Sequence, residues 1–201
     1  LLVSVPQGCI HVDGNMPLKC CSSLISRRAR LARIFLLKTL VTFLMASRLR
    51  VARTFGVDVR SAGAACYERV QKRAKPVVVS RDQAPVKQVV EKGASIDVRR
   101  FPAPRHHRMD PGRYVTEGHF LTFNRNNGLD NSALQRGWLA GKDEIRVFLG
   151  PSTHNAHNLR QYEETGEDMP AAYWSGHHPL VLLGAATHVG PDESHYETAG
   201  G

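Results

Sequence analysis

YVTEGHFLTFNRNNGLDNSALQRGWL, residues 114–139, is the stretch on which the fold turns. Residues 114–123 are rich in β-branched and aromatic side chains and read as a strand. Asn126-Asn127-Gly128 is a turn signal, because Asn and Gly tolerate the left-handed backbone that tight reversals need. Residues 132–139 then read as the returning strand of a hairpin. Its approach and first half spell Asp130-Asn131-Ser132-Ala133-Leu134-Gln135-Arg136, with His154 eighteen residues after Arg136 and Glu193 near the end. An amide oxygen, an imidazole and a carboxylate from three segments can converge on one hard divalent cation, and Arg136 adds a fixed positive charge beside them. Oxygen-dominated ligation with one imidazole favours Mn²⁺ or Mg²⁺ over Zn²⁺. The set suits a metal-bridged phosphate cofactor; the bland alternative is three solvated surface side chains.

Working outward, residues 145–149 read as a third strand. Ser152 or Thr153 can cap a helix running to about residue 165 and stopping at Gly166, which places His154 in a first turn whose free N–H groups favour an anion. His157, on the same face, reads as structural support. Residues 171–175 read as a fourth strand, and Pro179 opens a short apolar helix through residue 186. Such interleaving predicts an α+β fold with an antiparallel sheet. Upstream, Leu49, Ala52 and Phe55 share a face at helical spacing, with Gly56 placed to stop that helix. Val77-Val78-Val79 after Pro76 reads as a short buried strand, and residues 85–93 as a strand or helix edge. Phe101-Pro102-Ala103-Pro104 is the expected domain boundary. Three segments result: a leader at 1–45, an amino-terminal α/β region at 46–104, and a second domain at 105–201.

The net charge of +9 is confined to the first third. Residues 1–75 carry 14 Lys and Arg against 3 acidic residues, whereas residues 76–201 carry 13 against 15. A globally basic nucleic-acid binder is therefore not the reading, and no nucleic-acid partner is expected. Cys9, Cys20, Cys21 and Cys66 form no disulfide scaffold and no zinc spacing, so they read as reduced. Residues 34–45 are an apolar run of about a dozen interrupted by Lys38, short of the ~20 that a membrane span requires. An acid-free, Arg-rich leader also imitates a targeting peptide; the expected location is nonetheless cytoplasmic.

Several ordered landmarks resemble the UbiD-like decarboxylases, which use prenylated flavin mononucleotide. They run from Ala84-Pro85-Val86-Lys87-Gln88-Val89-Val90 through Asp97-Val98-Arg99-Arg100-Phe101-Pro102-Ala103-Pro104 and His106-His107 to Asp110-Pro111-Gly112-Arg113-Tyr114-Val115-Thr116. They continue through Asn131 to Arg136, Gly150-Pro151-Ser152-Thr153-His154-Asn155-Ala156-His157, Gly176-His177-His178-Pro179 and Glu193-Ser194-His195-Tyr196. The resemblance covers roughly residues 46–201. It implies that residues 105–201 are a partial split β-barrel flavin-binding domain with flanking helices. It also implies that Asn131, His154 and Glu193 hold manganese (or magnesium) against the cofactor phosphate, with a potassium ion nearby. Arg136 would lie against the isoalloxazine and the substrate carboxylate as the catalytic residue. Ser132, Ala133, Leu134 and Gln135 would contact the cofactor alongside it, and Thr153 would add a polar contact.

The resemblance further implies reversible, non-oxidative decarboxylation of a small aromatic or α,β-unsaturated carboxylic acid. A flavin prenyltransferase would supply the cofactor. The family's acid–base carboxylates and a cofactor-contacting lysine lie downstream of the position matching Glu193, so the chain reads as the amino-terminal part of a longer enzyme. It would assemble as a homo-oligomer or with a complementing carboxy-terminal subunit. His188 stands where apolar or Pro residues are commoner, which puts the potassium site in question. The second function class is a non-catalytic flavin- and metal-binding or assembly subunit with a basic leader.

Overall fold

The computed structural model describes residues 47–201 except His177, and leaves the side chains of Pro85 and Pro179 undescribed. The calls on the leader and its cysteines therefore lie outside the described residues. Helix α1 (Arg48–Phe55) ends on Gly56 at φ 70°, the left-handed stop expected of a glycine there. Ala52 and Phe55 are its buried residues, but Leu49, expected on the same face, is exposed. Helix α2 (Ala62–Gln71) follows. Four single-turn 3₁₀ helices, Arg81–Gln83, Pro85–Lys87, Gly93–Ser95 and Val98–Arg100, then carry the chain toward the sheet.

One expectation fails here. Val77 and Val78 are 79% and 82% exposed and belong to no strand, so the buried strand expected at 77–79 is absent. β-branched composition makes a strand only where a sheet edge is available to pair with it. Residues 85–93, read as a strand or helix edge, hold the 3₁₀ turn Pro85–Lys87 followed by bends and irregular chain up to the turn that opens at Gly93.

From residue 114 the hairpin forms as expected. Strand β1 (Tyr114–Phe123) pairs antiparallel with β2 (Asp130–Leu139), and Gly128 at φ 72° closes the turn. Strand β3 (Ile145–Val147) adds to β2, and β4 (Ala171–Trp174) adds to β1, giving a curled sheet of order β3-β2-β1-β4. Helix α3 (His154–Glu163) crosses between β3 and β4 in sequence, and α4 (Pro179–Ala186) and α5 (His195–Gly200) follow. The last helix was not foreseen, since six residues carry too little periodicity to show.

The ladder is interrupted between Val115 and Gly118. There the Tyr173 phenol lies across the sheet, its hydroxyl donating to the Gln135 carbonyl at 2.8 Å. A Cβ at Gly118 would overlap that ring, and one at Gly137 would come within 2.7 Å of Ile145 Cγ2. Glycine is needed at both places for close approach, not for a special φ. Phe120, Leu121, Leu139, Ile145, Tyr173 and Trp174 form the core with Ile96, Val98, Tyr162, Val181 and Tyr196 packed against it. No helix among the described residues is long and apolar enough to cross a membrane.

Candidate functional site

Three elements meet at the amino end of β2. Asn131, 7% exposed, turns its Nδ2 toward Asn155 Oδ1 at 2.5 Å, which ties the strand to the first turn of α3. Asp130 accepts the Ser194 hydroxyl and the Tyr196 N–H (3.0 Å), which ties the same strand end to α5. Ser194 in turn caps α5 by accepting from the Glu197 N–H at 3.0 Å. His154, Asn131 and Glu193 are thereby carried on segments that are locked together through their immediate neighbours. Thr153 caps α3 by accepting from the Ala156 N–H at 3.3 Å and donates to the Gly150 carbonyl at 2.7 Å. Its hydroxyl is thus committed to shaping the loop that presents His154.

Buried His195 is pushed below the usual histidine range, first by loss of hydration and further by the nearby His154 and His188, with Asp130 opposing. Its Nδ1 is the one buried side-chain polar atom among the described residues with no hydrogen-bond partner. The Glu193 carboxyl is held below its ordinary range first by the Arg73 guanidinium and then by the Gly190 N–H, which donates at 2.6 Å. Neither Asn131 Oδ1 nor the His154 ring makes a side-chain hydrogen bond among the described residues. A neutral oxygen and an imidazole are therefore available, and the Glu193 carboxylate pairs with a cation, Arg73. These donor types fit a hard divalent ion; among the described residues no three His, Cys, Asp or Glu side chains cluster to hold one.

Further along β2 the environment opens. Arg136 is exposed and lines a cleft of about 480 Å³ with His106, His107, Tyr114, Trp138, Arg146 and Phe148. Gln135 also lines this cleft and donates to the Phe148 carbonyl. Asn131, His154 and Glu193 do not line it, so the expected site residues fall into two groups, one around Asn131 at the start of β2 and one around Gln135 and Arg136 past its middle. Between them Ser132 is buried, with its hydroxyl 3.5 Å from His119 Nδ1, while Ala133 is half-buried and Leu134 exposed. Asp130 is committed to clasping α5. Sequence reasoning passed over Thr122, Asn155 and Asn158, which line the Asn131 anchor. Only the Asn-x-x-Asn spacing of 155 and 158 on a helix could have pointed to them.

The comparisons with known proteins converge on one family. The model of the 3-octaprenyl-4-hydroxybenzoate carboxy-lyase Rift-related domain (UbiD) matches residues 77–201. A gallate decarboxylase of Lactiplantibacillus plantarum is 29% identical over 149 residues, covering 72% of this chain and 30% of that protein. An anhydromevalonate phosphate decarboxylase of Methanothermobacter thermautotrophicus is 32% identical over 103 residues, covering 51% and 24%. Among solved structures, an evolved dimeric form of the UbiD-class enzyme HmfF from Pelotomaculum thermopropionicum, in complex with prFMN, superposes with a TM-score of 0.71 at 27% identity, covering 76% of this chain and 36% of that one. The chain spans about a third or less of the length of these relatives. With the family model matched over more than half of its residues and the fold shared, the chain belongs to the UbiD family.

Proposed function

We propose that the chain is the prenylated-FMN-binding portion of a UbiD-type carboxy-lyase that decarboxylates an aromatic or α,β-unsaturated acid. The observation that carries this reading is the layout of β2. Arg136 stands five positions after Asn131, and a strand advances about 3.3 Å per residue, so the two lie roughly 17 Å apart. That is comparable to the reach of a flavin mononucleotide from phosphate to ring. Asn131, His154 and Glu193 would hold Mn²⁺ or Mg²⁺ against the phosphate, Glu193 sharing with the ion the carboxylate that now pairs with Arg73. The first-turn N–H groups of α3 favour the same anion. Arg136 holds a substrate carboxylate in the two-pronged manner its guanidinium allows. The backbone at Ser132 and Ala133, with the Leu134 and Gln135 side chains, forms the wall between the two ends of a partial split barrel. When bound, the flavin supplies the sink for the electrons left behind as carbon dioxide departs.

A specific observation favours a second reading for the chain acting alone, that of a cofactor-binding piece without turnover. Among the described residues the one carboxylate lining the cleft is Asp110, and it accepts the His107 N–H at 2.8 Å. The carbon that loses carbon dioxide must be protonated, and a positioned general acid is worth about 10²–10⁴-fold in such a step. The test is to load the chain with prenylated FMN and Mn²⁺, measure flavin retention with and without chelator, and assay carbon dioxide release from a panel of cinnamic-type and aromatic acids. Retention that depends on the metal, with no turnover, is the expected result. Metal-independent retention overturns the site, and multiple turnover by the chain alone overturns the second reading.

A further inference from the structure

Asn131 would supply a cation with an oxygen only if its amide is turned the right way, and three buried side chains decide that. Asn158 Nδ2 donates to Thr122 Oγ1 at 2.9 Å. The Thr122 hydroxyl donates to Asn155 Oδ1 at 2.8 Å, and Asn131 Nδ2 donates to the same oxygen at 2.5 Å. All four residues are under 9% exposed, with Thr122 at 0% and Asn155 and Asn158 at 2%. Thr122 accepts from Asn158 on a hydroxyl lone pair and spends its single proton on Asn155. The Asn155 oxygen then receives two donors and faces Asn131 as an acceptor. Asn131 must answer with its nitrogen, which leaves Oδ1 pointing away from the network. An amide is nearly symmetric in shape, and its NH₂ group cannot ligate a cation.

We infer that Asn155, itself held by Thr122 and Asn158, is a positioning residue that sets the Asn131 amide so that its oxygen, not its nitrogen, meets the metal. The inference rests on the metal site proposed above. The same helical turn carries His154, so one element delivers the imidazole and aims the amide. Partners of this kind behind a metal ligand typically govern about 10–100-fold in affinity.

The test is an Mn²⁺ titration of the full chain with FMN, read by the EPR signal of free Mn²⁺, in two backgrounds. In the native background Asn155→Ala is expected to weaken Mn²⁺ binding about 10–100-fold. Asn155→Asp, which can accept both hydrogen bonds, should stay within a few-fold of the native chain. In an Asn131→Asp background a carboxylate presents oxygen whichever way it turns, so Asn155→Ala should cost Mn²⁺ affinity little. Thermal melts should nevertheless fall by similar amounts in both backgrounds, which separates aiming from packing. An equal loss of affinity in both backgrounds, or no loss in the native one, overturns the inference. Should Asn155→Ala fail to fold, Thr122→Val carries the same comparison, since it leaves Asn155 in place but frees its amide to turn. If the native chain binds no Mn²⁺ that His154→Ala removes, the metal site itself has failed, and that result is visible before any Asn155 variant is made.

Discussion

The two ends of β2 are built on opposite principles. At the Asp130–Asn131 end the strand is bonded to neighbouring elements, through Asn155 on α3 and through Ser194 and the Tyr196 N–H at the start of α5. At the Gln135–Arg136 end the strand borders an open cleft, and Arg136 extends into it from an exposed position. The difference teaches how one strand can hold a long ligand. A phosphate–metal anchor needs ligands that do not rearrange, because reorganisation subtracts from affinity. A ring and substrate end needs access, and accepts an exposed guanidinium in return.

The largest effect expected comes from breaking the anchored end. Glu193→Gln or His154→Ala removes a proposed ligand, and Mn²⁺-dependent flavin binding should fall by more than the ~100-fold that a supporting residue can control. Flavin titration at fixed Mn²⁺ checks it; full binding by Glu193→Gln would remove that residue from the site. Next comes the scaffold that joins the two ends. Gly118→Ala places a methyl inside the Tyr173 phenol and should cost about 1–3 kcal/mol, seen as a lower denaturant midpoint. If stability were unchanged, Tyr173 would not be the spacer of the sheet.

The open end should respond differently. Arg136→Ala should leave Mn²⁺ affinity and stability nearly unchanged, within about 0.5 kcal/mol, while weakening retention of a carboxylate-bearing substrate analogue. Loss of metal binding in that variant would mean that the two ends are not separable. The smallest effect is expected remote from both. Asp97 caps the Val98–Arg100 turn, and Arg99 holds its carboxyl down to about 2. A carboxyl lowered in the fold adds stability above its unfolded pKa near 4 and loses it as pH falls toward 2. Asp97→Asn should therefore flatten the acid limb of the stability curve slightly and change nothing at pH 7 in metal binding.

The hairpin, the Thr153 cap and the Pro179 helix were legible because each is written in local terms: alternation, a turn dipeptide, a capping hydroxyl, a proline at a helix start. Val77 to Val79 misled because β-branched residues announce a strand, whereas burial depends on a partner strand that no local pattern reports. The ligand set at Asn131, His154 and Glu193 could be proposed from ordered landmarks. Its support could not, since Thr122 meets Asn155 and Asn158 across separations of 33 and 36 residues. Polar side chains at such distances carry no periodicity, and only the folded chain shows that their hydrogen bonds run in one direction. Arg73 on Glu193 was equally hidden, being one arginine among many in a basic segment.

The central claim, that the amino end of β2 joins one imidazole and a cofactor phosphate through a single metal ion, is tested most directly by pulsed EPR of the chain loaded with Mn²⁺ and FMN. The account predicts a ³¹P coupling from the phosphate together with a ¹⁴N coupling from one histidine, the latter vanishing in His154→Ala. A bound Mn²⁺ that shows no ³¹P coupling, or whose ¹⁴N coupling survives in His154→Ala, would contradict it.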